Sequence, residues 1–231
     1  MDVHSIAGLK VGYSCLCDRL RRQSEAYLTE DQPTNFNIVL SREFLVEKNA
    51  ESPHLTLEDC EYIYTGSFFY HHLIHFGGML LHASAVILDG YAYLFSANSG
   101  TGKSTHTALW CEVFPEAKIL NDDKPAIRIL RDGIYVYGTP WSGKSDLNLN
   151  LKVPLGGICF LERSEENFIE PMEAGDAILR TLNQTVRPLE QTDMDQLLKT
   201  LDTVLCKTPL YRMGCNISPD AAKMAYAAMK Q

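Results

Sequence analysis

From Ala97 to Thr105 the chain reads ANSGTGKST. Two inner glycines, a lysine and a hydroxyl in this spacing meet the needs of a phosphate. Gly100 and Gly102 free the backbone to turn its N–H groups inward. Lys103 carries a charge to the outer phosphates, and Ser104 offers a hydroxyl to Mg²⁺. The pattern G-x-x-x-x-G-K-[ST] asks for glycine first, and Ala97 stands there. A small side chain is the main demand at that point, and alanine meets it while φ stays negative. Asn98, Ser99, Gly100, Thr101, Gly102, Lys103, Ser104 and Thr105 are therefore read as nucleotide-binding.

Phosphoryl transfer to a hydroxyl also calls for a metal ligand and a proton acceptor. Asn121-Asp122-Asp123 offers two adjacent carboxylates at the end of a strand pattern. One would help hold Mg²⁺ and the other would face the acceptor, although Asp before Lys-Pro is also ordinary turn composition. His82 sits in the strand-like run Leu81-His82-Ala83-Ser84-Ala85. A lone histidine there is usually a satisfied core residue. Here its strand precedes the loop strand, which would set it near the metal or the terminal phosphate. His71, His72 and His75 form a second cluster; His71 and His75 would share a helical face, but no third metal ligand is evident.

These residues need elements to position them. Met79 to Leu88 reads as one strand, Asp89-Gly90 as a hairpin turn and Tyr91 to Ser96 as the return strand. The loop follows at once, and Ser104 to Cys111 reads as a helix. Ala117 to Asn121 is the strand that ends in the aspartates. A second hairpin joins Ala126–Leu130 to Ile134–Tyr137, and Gly156 to Leu161 is a buried strand. Asp176 to Leu182 and Met194 to Leu205 are helices, and Leu210 to Met213 is a strand. Ser218-Pro219-Asp220 opens a last helix with Pro219 at its first position. Before His75 the pattern is weaker. Ile6 to Tyr13 and Phe36 to Leu40 read as strands, Asp18 to Asn35 as a polar loop, and Tyr62 to Phe69 as a strand or the lead into a helix. The expected organisation is an N-terminal β-rich subdomain over 1–75 and a nucleotide-binding catalytic domain over 76–231.

Composition narrows the function classes. A net charge of −8 with no basic stripe argues against nucleic acid and anionic membranes as partners. No apolar run approaches membrane-spanning length, and MDVHSIAGLK lacks the basic head and apolar stretch of a signal peptide. Seven cysteines in irregular spacing read as reduced core thiols of a cytoplasmic protein.

The ordered set of His82, Ser99 to Ser104 and Asp122-Asp123 resembles the catalytic domain of bacterial HPr kinase/phosphorylase and the nucleotide half of phosphoenolpyruvate carboxykinase. LLHASAV resembles their histidine strand, NSGTGKST their phosphate loop and NDD their acidic motif, within residues 76–165. GTPWSGKSDLN, from Gly138 to Asn148, resembles a segment of small HPr-kinase-like proteins. The resemblance implies an α/β fold, with a P-loop core of this type built on a mixed sheet. It implies ATP and Mg²⁺ as cofactors, Lys103 on the β- and γ-phosphates, and Ser104 and Asp122 toward the metal. Asp122 and Asp123 would divide metal binding and acid–base work, and His82 would lie near them. Trp141, Ser142, Gly143 and Lys144 would line the acceptor side, with Arg163 a further cationic candidate. Self-association is plausible by the same resemblance.

Thr105 stands where HPr kinases carry a glutamate, and the chain is too short for the oxaloacetate-binding half of a carboxykinase. The expected activity is ATP- and Mg²⁺-dependent transfer to a hydroxyl of a peptide, small protein or small molecule. A nucleotide-binding module without transfer and a simple NTPase stay open beside it.

Overall fold

The computed structural model describes residues 1–30 and 33–231. Strands β1 (Asp2–Ile6) and β2 (Leu9–Tyr13) form a hairpin. The continuous strand expected over Ile6 to Tyr13 is broken by a turn at Ala7 and Gly8, with φ of 52° and 72°. Helix α1 (Asp18–Ser24) and a 3₁₀ turn (Glu25–Tyr27) replace most of the expected loop. Residues 31 and 32 of that stretch lie outside the described residues. Short strands β3 (Leu28–Thr29) and β4 (Phe36–Asn37) flank the hairpin in the order β3-β1-β2-β4.

Helices α2 (Arg42–Glu51) and α3 (Leu57–Ile74) follow. The expectation of a β-rich N-terminal segment is corrected here, because helices of 7, 10 and 18 residues outweigh strands of 5, 5, 2 and 2. Tyr62 to Phe69 looks strand-like by its aromatic and β-branched content, a propensity that tertiary context overrides. What decides is the spacing of the buried residues. Tyr62, Gly66, Phe69, Tyr70 and Leu73 recur three and four apart and face one core. Thr56 starts the helix with a reciprocal capping box, its side chain accepting from Asp59 N at 3.1 Å while Asp59 Oδ2 accepts from Thr56 N at 3.1 Å.

Strands β5 (Gly78–Leu80), β6 (Ala83–Leu88) and β7 (Tyr91–Ser96) come next, then helix α4 (Lys103–Val113) and strands β8 (Lys118–Asp123), β9 (Ala126–Leu130) and β10 (Gly133–Tyr137). Met79 to Leu88 is thus two strands rather than one. It divides at Leu81-His82 because β5 pairs with β9, whereas β6 pairs with β7 and β8. The long strand β11 (Lys152–Arg163) precedes β12 (Phe168–Pro171), helices α5 (Ala174–Leu182) and α6 (Gln191–Lys207), strand β13 (Leu210–Cys215) and helix α7 (Pro219–Met229).

These strands make a nine-stranded mixed sheet, with the path β5-β9-β10-β11-β7-β6-β8 and β13 and β12 beyond β11. Strand β11 joins its two parts. Its first residues pair antiparallel with β10, and the remainder pairs parallel with β7 and β13. The centre is covered on both faces, as alternation dictates. Ala92 and Leu94 of β7 and Ile158 and Phe160 of β11 pack under α5 and α6. Tyr93, Phe95, Cys159 and Leu161 pack under α4 and α7. A third cluster joins Ile6, Leu20, Phe69 and Leu73 to Leu80, Ala126, Tyr137 and Trp141, and so crosses residue 75.

All seven cysteines are free. Only Cys60 and Cys159 are buried and Cys206 is exposed, so the reading of every cysteine as a core thiol is too broad. Among the described residues no helix is long and apolar enough to cross a membrane.

Candidate functional site

Three strand ends meet at one sheet edge. Strand β6 runs antiparallel to both neighbours, so its first residue, Ala83, pairs with Ser96 at the end of β7 and with Asp123 at the end of β8. His82, the glycine-rich loop and the acidic pair therefore converge, although the two neighbours of β6 are antiparallel to it rather than part of a parallel sheet. A cavity of about 430 Å³ lies there, lined by His82, Ser99, Gly100, Gly102 to Thr105, Asp122, Asp123 and Gly143 to Ser145, while Asn98 and Thr101 lie outside its lining.

The loop runs from β7 into α4 with Gly100 at φ 78° and Gly102 at φ 121°. A Cβ at either would meet nothing within 4 Å, so these glycines serve backbone conformation rather than space. Ala97 is absent from the positive-φ residues and packs into the α4–α7 cluster, as its small size allows. Gly102 caps α4, leaving the first-turn N–H groups without intrahelical partners. Lys103 is buried and donates to Ala97 O at 3.0 Å. Burial lowers its pKa, against the raising pull of Asp123 and Asp122. Arg163, at the end of β11, donates to Gly100 O at 2.6 Å and Thr101 O at 3.5 Å. It thus braces the loop backbone, and the cavity of the acidic pair does not include it.

The two aspartates have different surroundings. Asp122 Oδ1 is buried with no hydrogen-bond partner among the described residues. Asp123 is held by three partners. Its Oδ1 lies 3.2 Å from His82 Nε2, and its Oδ2 accepts from Lys124 Nζ at 2.8 Å and from the Tyr62 hydroxyl at 3.3 Å. Burial alone would raise the carboxyl, but His82 and Lys124 outweigh it and hold it down at about 2. His82 is fixed in turn by Gln184, whose carbonyl accepts from His82 N at 2.7 Å and whose Oε1 lies 2.9 Å from His82 Nδ1. Gln184 Nε2 donates onward to Asn98 Oδ1 at 3.1 Å, tying His82 to the loop.

The far wall is the segment from Gly138 to Asn150. Gly143, at φ 71°, packs so closely on Asp123 that an added Cβ would sit 3.1 Å from the aspartate's own Cβ. The first 75 residues grip this segment. Tyr62 OH accepts from Gly143 N at 2.8 Å, and Arg19 and Gln23 donate to Gly143 O at 3.3 Å each. Arg22 pairs with Asp146 at 3.0 Å, and Tyr27 OH donates to Asn148 at 2.8 Å. The Tyr62 ring lies under both the Arg19 guanidinium and Lys124 Nζ, at 4.0 and 4.7 Å from its centroid.

Lys144 is exposed and lines the cavity. Trp141 does not. It is fully buried, stacked on Phe69 at 4.8 Å and seated where Gly66 lacks a side chain, so the acceptor-side placement expected for it is corrected. The histidine cluster disperses: His71 bonds Ser67 O at 2.7 Å, His72 stacks on Phe36 and His75 faces Asp193. Sequence reading missed Tyr62, Lys124, Gln184 and Arg19. Lys124 adjoins the acidic pair and was findable there; the others come from elements with no motif.

Fold and site together define a mixed α/β protein that brings a glycine-rich strand–loop–helix turn and an acidic pair to one cavity. Within that class the chain belongs to the ScmC family: the model for SynChlorMet cassette protein ScmC matches residues 55–217. The HPr(Ser) kinase/phosphatase from Coxiella burnetii is similar at a TM-score of 0.36 and 10% identity, over 64% of this chain and 95% of that one. No curated protein matches the chain.

Proposed function

We propose that the chain is an ATP- and Mg²⁺-dependent phosphotransferase acting on a hydroxyl of a peptide, small protein or small molecule. The observation that carries this reading is the meeting of Lys103, Ser104, Asp122, Asp123 and His82 around one cavity. The order of those residues, which resembles that of HPr kinases, supports the same reading.

Magnesium suits the donors present. The Asp122 oxygen without a partner and the exposed Ser104 hydroxyl are hard oxygen ligands of the kind this ion takes. Bound there with the nucleotide, the ion would neutralise charge on the transferred phosphoryl group. Lys103 would give up the Ala97 carbonyl for the β- and γ-phosphates, and the first-turn N–H groups of α4 would meet the anion. Asp123, with its carboxyl near 2, is a weak base. A loose phosphoryl-transfer transition state asks mainly for positioning and charge stabilisation. In this reading Asp123 accepts a hydrogen bond from the attacking hydroxyl and orients it, and Lys144 supplies charge from the opposite wall. The acceptor itself would be a chain or small molecule reaching in beside Gly143 to Ser145.

One observation favours the second reading, a nucleotide-binding module without transfer. The three contacts that hold Asp123 make it a structural counter-ion before any acceptor arrives. Incubation with γ-labelled ATP, Mg²⁺ and extract of the host separates the two. Transfer of label that is lost in Asp123→Asn supports the kinase. ATP binding with no transfer by either protein leaves the binding module. Lys103→Ala should nearly abolish ATP affinity in a calorimetric titration, whereas Ala97→Gly should change it little.

A further inference from the structure

The acidic pair gives the triphosphate a direction. Along the sheet edge the strand ends run β8, β6, β7, β11 and β13. The aspartates lie at the β8 end and the loop follows β7. A triphosphate with its terminal phosphate beside Asp122 and Asp123 leaves the loop on the opposite side, toward β11 and β13. A second cavity, of about 470 Å³, lies there, lined among others by Thr105, His106, Leu109, Arg163, Asn216 and Ile217. It shares Gly100, Gly102 and Thr105 with the first cavity, so one ligand can span both.

Its walls suit a ring. Ile217 is 81% exposed, yet the backbone around it is pinned. Asn216 N donates to Asn167 Oδ1 at 2.9 Å and its Nδ2 to Glu165 O at 2.9 Å, while Ser218 Oγ donates to Asn216 Oδ1 at 2.6 Å. A large apolar side chain is thus held out beside a cavity. Leu109 of α4 supplies further apolar surface to the same cavity. His106 is buried, and Trp110 Nε1 donates to its Nε2 at 3.2 Å. That bond puts the ring proton on Nδ1, and Nδ1 has no partner among the described residues. Burial pushes the imidazole down to about 4, so the ring is neutral near pH 7.

We propose that this cavity takes the nucleoside of the triphosphate, the base lying against Ile217 and Leu109 beside the His106 ring. The direction rests on the phosphoryl-transfer reading; the pocket is tested apart from it by comparing Mg²⁺·ATP with Mg²⁺·tripolyphosphate, which has no nucleoside. Wild-type protein should bind ATP more tightly than tripolyphosphate. Ile217→Ser, an exposed and uncharged change that spares the core, should weaken ATP by about tenfold, the worth of one lost apolar contact. It should leave tripolyphosphate unchanged, while Lys103→Ala loses both. The chain has two tryptophans, and ATP but not tripolyphosphate should shift the indole N–H resonance of Trp110 while Trp141 stays still. Unchanged ATP affinity in Ile217→Ser, equal weakening of both ligands, or a wild type that prefers neither would overturn the pocket. Wild-type protein that binds neither ligand would overturn the phosphate reading itself, and the pocket with it.

Discussion

Asp123 and His106 mark the two ways in which burial and charge act on single residues here. Asp123 releases its proton more readily in the folded state, where His82 and Lys124 hold its charge, than in the unfolded chain. Between about pH 4 and about pH 2 the unfolded chain therefore binds the extra proton, and stability falls as pH drops through that window. The contribution, present in full above about pH 4, is roughly 2 kcal/mol. Asp123→Asn should flatten the stability curve there, read by urea titrations at successive pH values. His106 acts in a window just above that of Asp123. Its imidazole is held at about 4 by burial, so the unfolded chain takes up a proton as pH falls below about 6.5 and the folded one resists until about 4. Stability should drop by roughly 3 kcal/mol across that range, with buried His4 adding in the same direction. His106→Gln, which keeps an acceptor for Trp110, should remove the larger part of that slope.

Among the elements, α1 and α3 set the far wall of the cavity. The Gly143 peptide is gripped at its N–H by Tyr62 and at its carbonyl by Arg19 and Gln23. The Tyr62 hydroxyl also reaches Asp123. Tyr62→Phe removes both hydroxyl bonds and leaves the ring between its two cations. We expect a stability cost of about 1–3 kcal/mol, with faster amide hydrogen exchange confined to residues 142–148 and to the end of β8. Exchange in that segment as slow as in the wild type would show that the strand register alone holds the wall. Gly143→Ala tests the same contact from the other side. Its φ of 71° strains any residue with a Cβ, and an added Cβ would press on Asp123 at 3.1 Å, so the substitution should loosen the segment more than Tyr62→Phe does.

The molecule as a whole shares one core across the expected boundary at residue 75. Trp141, Tyr137, Ala126 and Leu80 pack with Ile6, Leu20, Phe69 and Leu73. The ScmC match, too, begins at residue 55, ahead of α3. The chain of residues 1–231 should therefore unfold in a single calorimetric transition. A chain starting at residue 76 should lose cooperative melting, because Trp141 and its neighbours would be bared. Two separable transitions would restore the two-domain division.

From Asp89 to Tyr137 the sequence alone determined much of the fold. The Asp89-Gly90 turn, β7, the loop, α4, β8 and the β9–β10 hairpin follow its pattern within a few residues. There the signals are local: alternation, a turn pair with positive φ, and glycines before a helix. The first 75 residues gave no such signal, since aromatic residues suit strand and helix alike and only their packing into one shared core chose the helix. The site divides in the same way. Lys103, Ser104, Asp122 and Asp123 were legible because one short stretch of chain carries each group. Tyr62, Gln184 and Arg19 were not, because hydrogen bonds reach their partners across 61, 102 and 124 positions. Tertiary structure alone decided that Asp123 has three partners, that Asp122 keeps an oxygen with none among the described residues, and that Trp141 belongs to the core. Contacts between residues so far apart depend on how the sheet and helices close in space, and no local pattern encodes that.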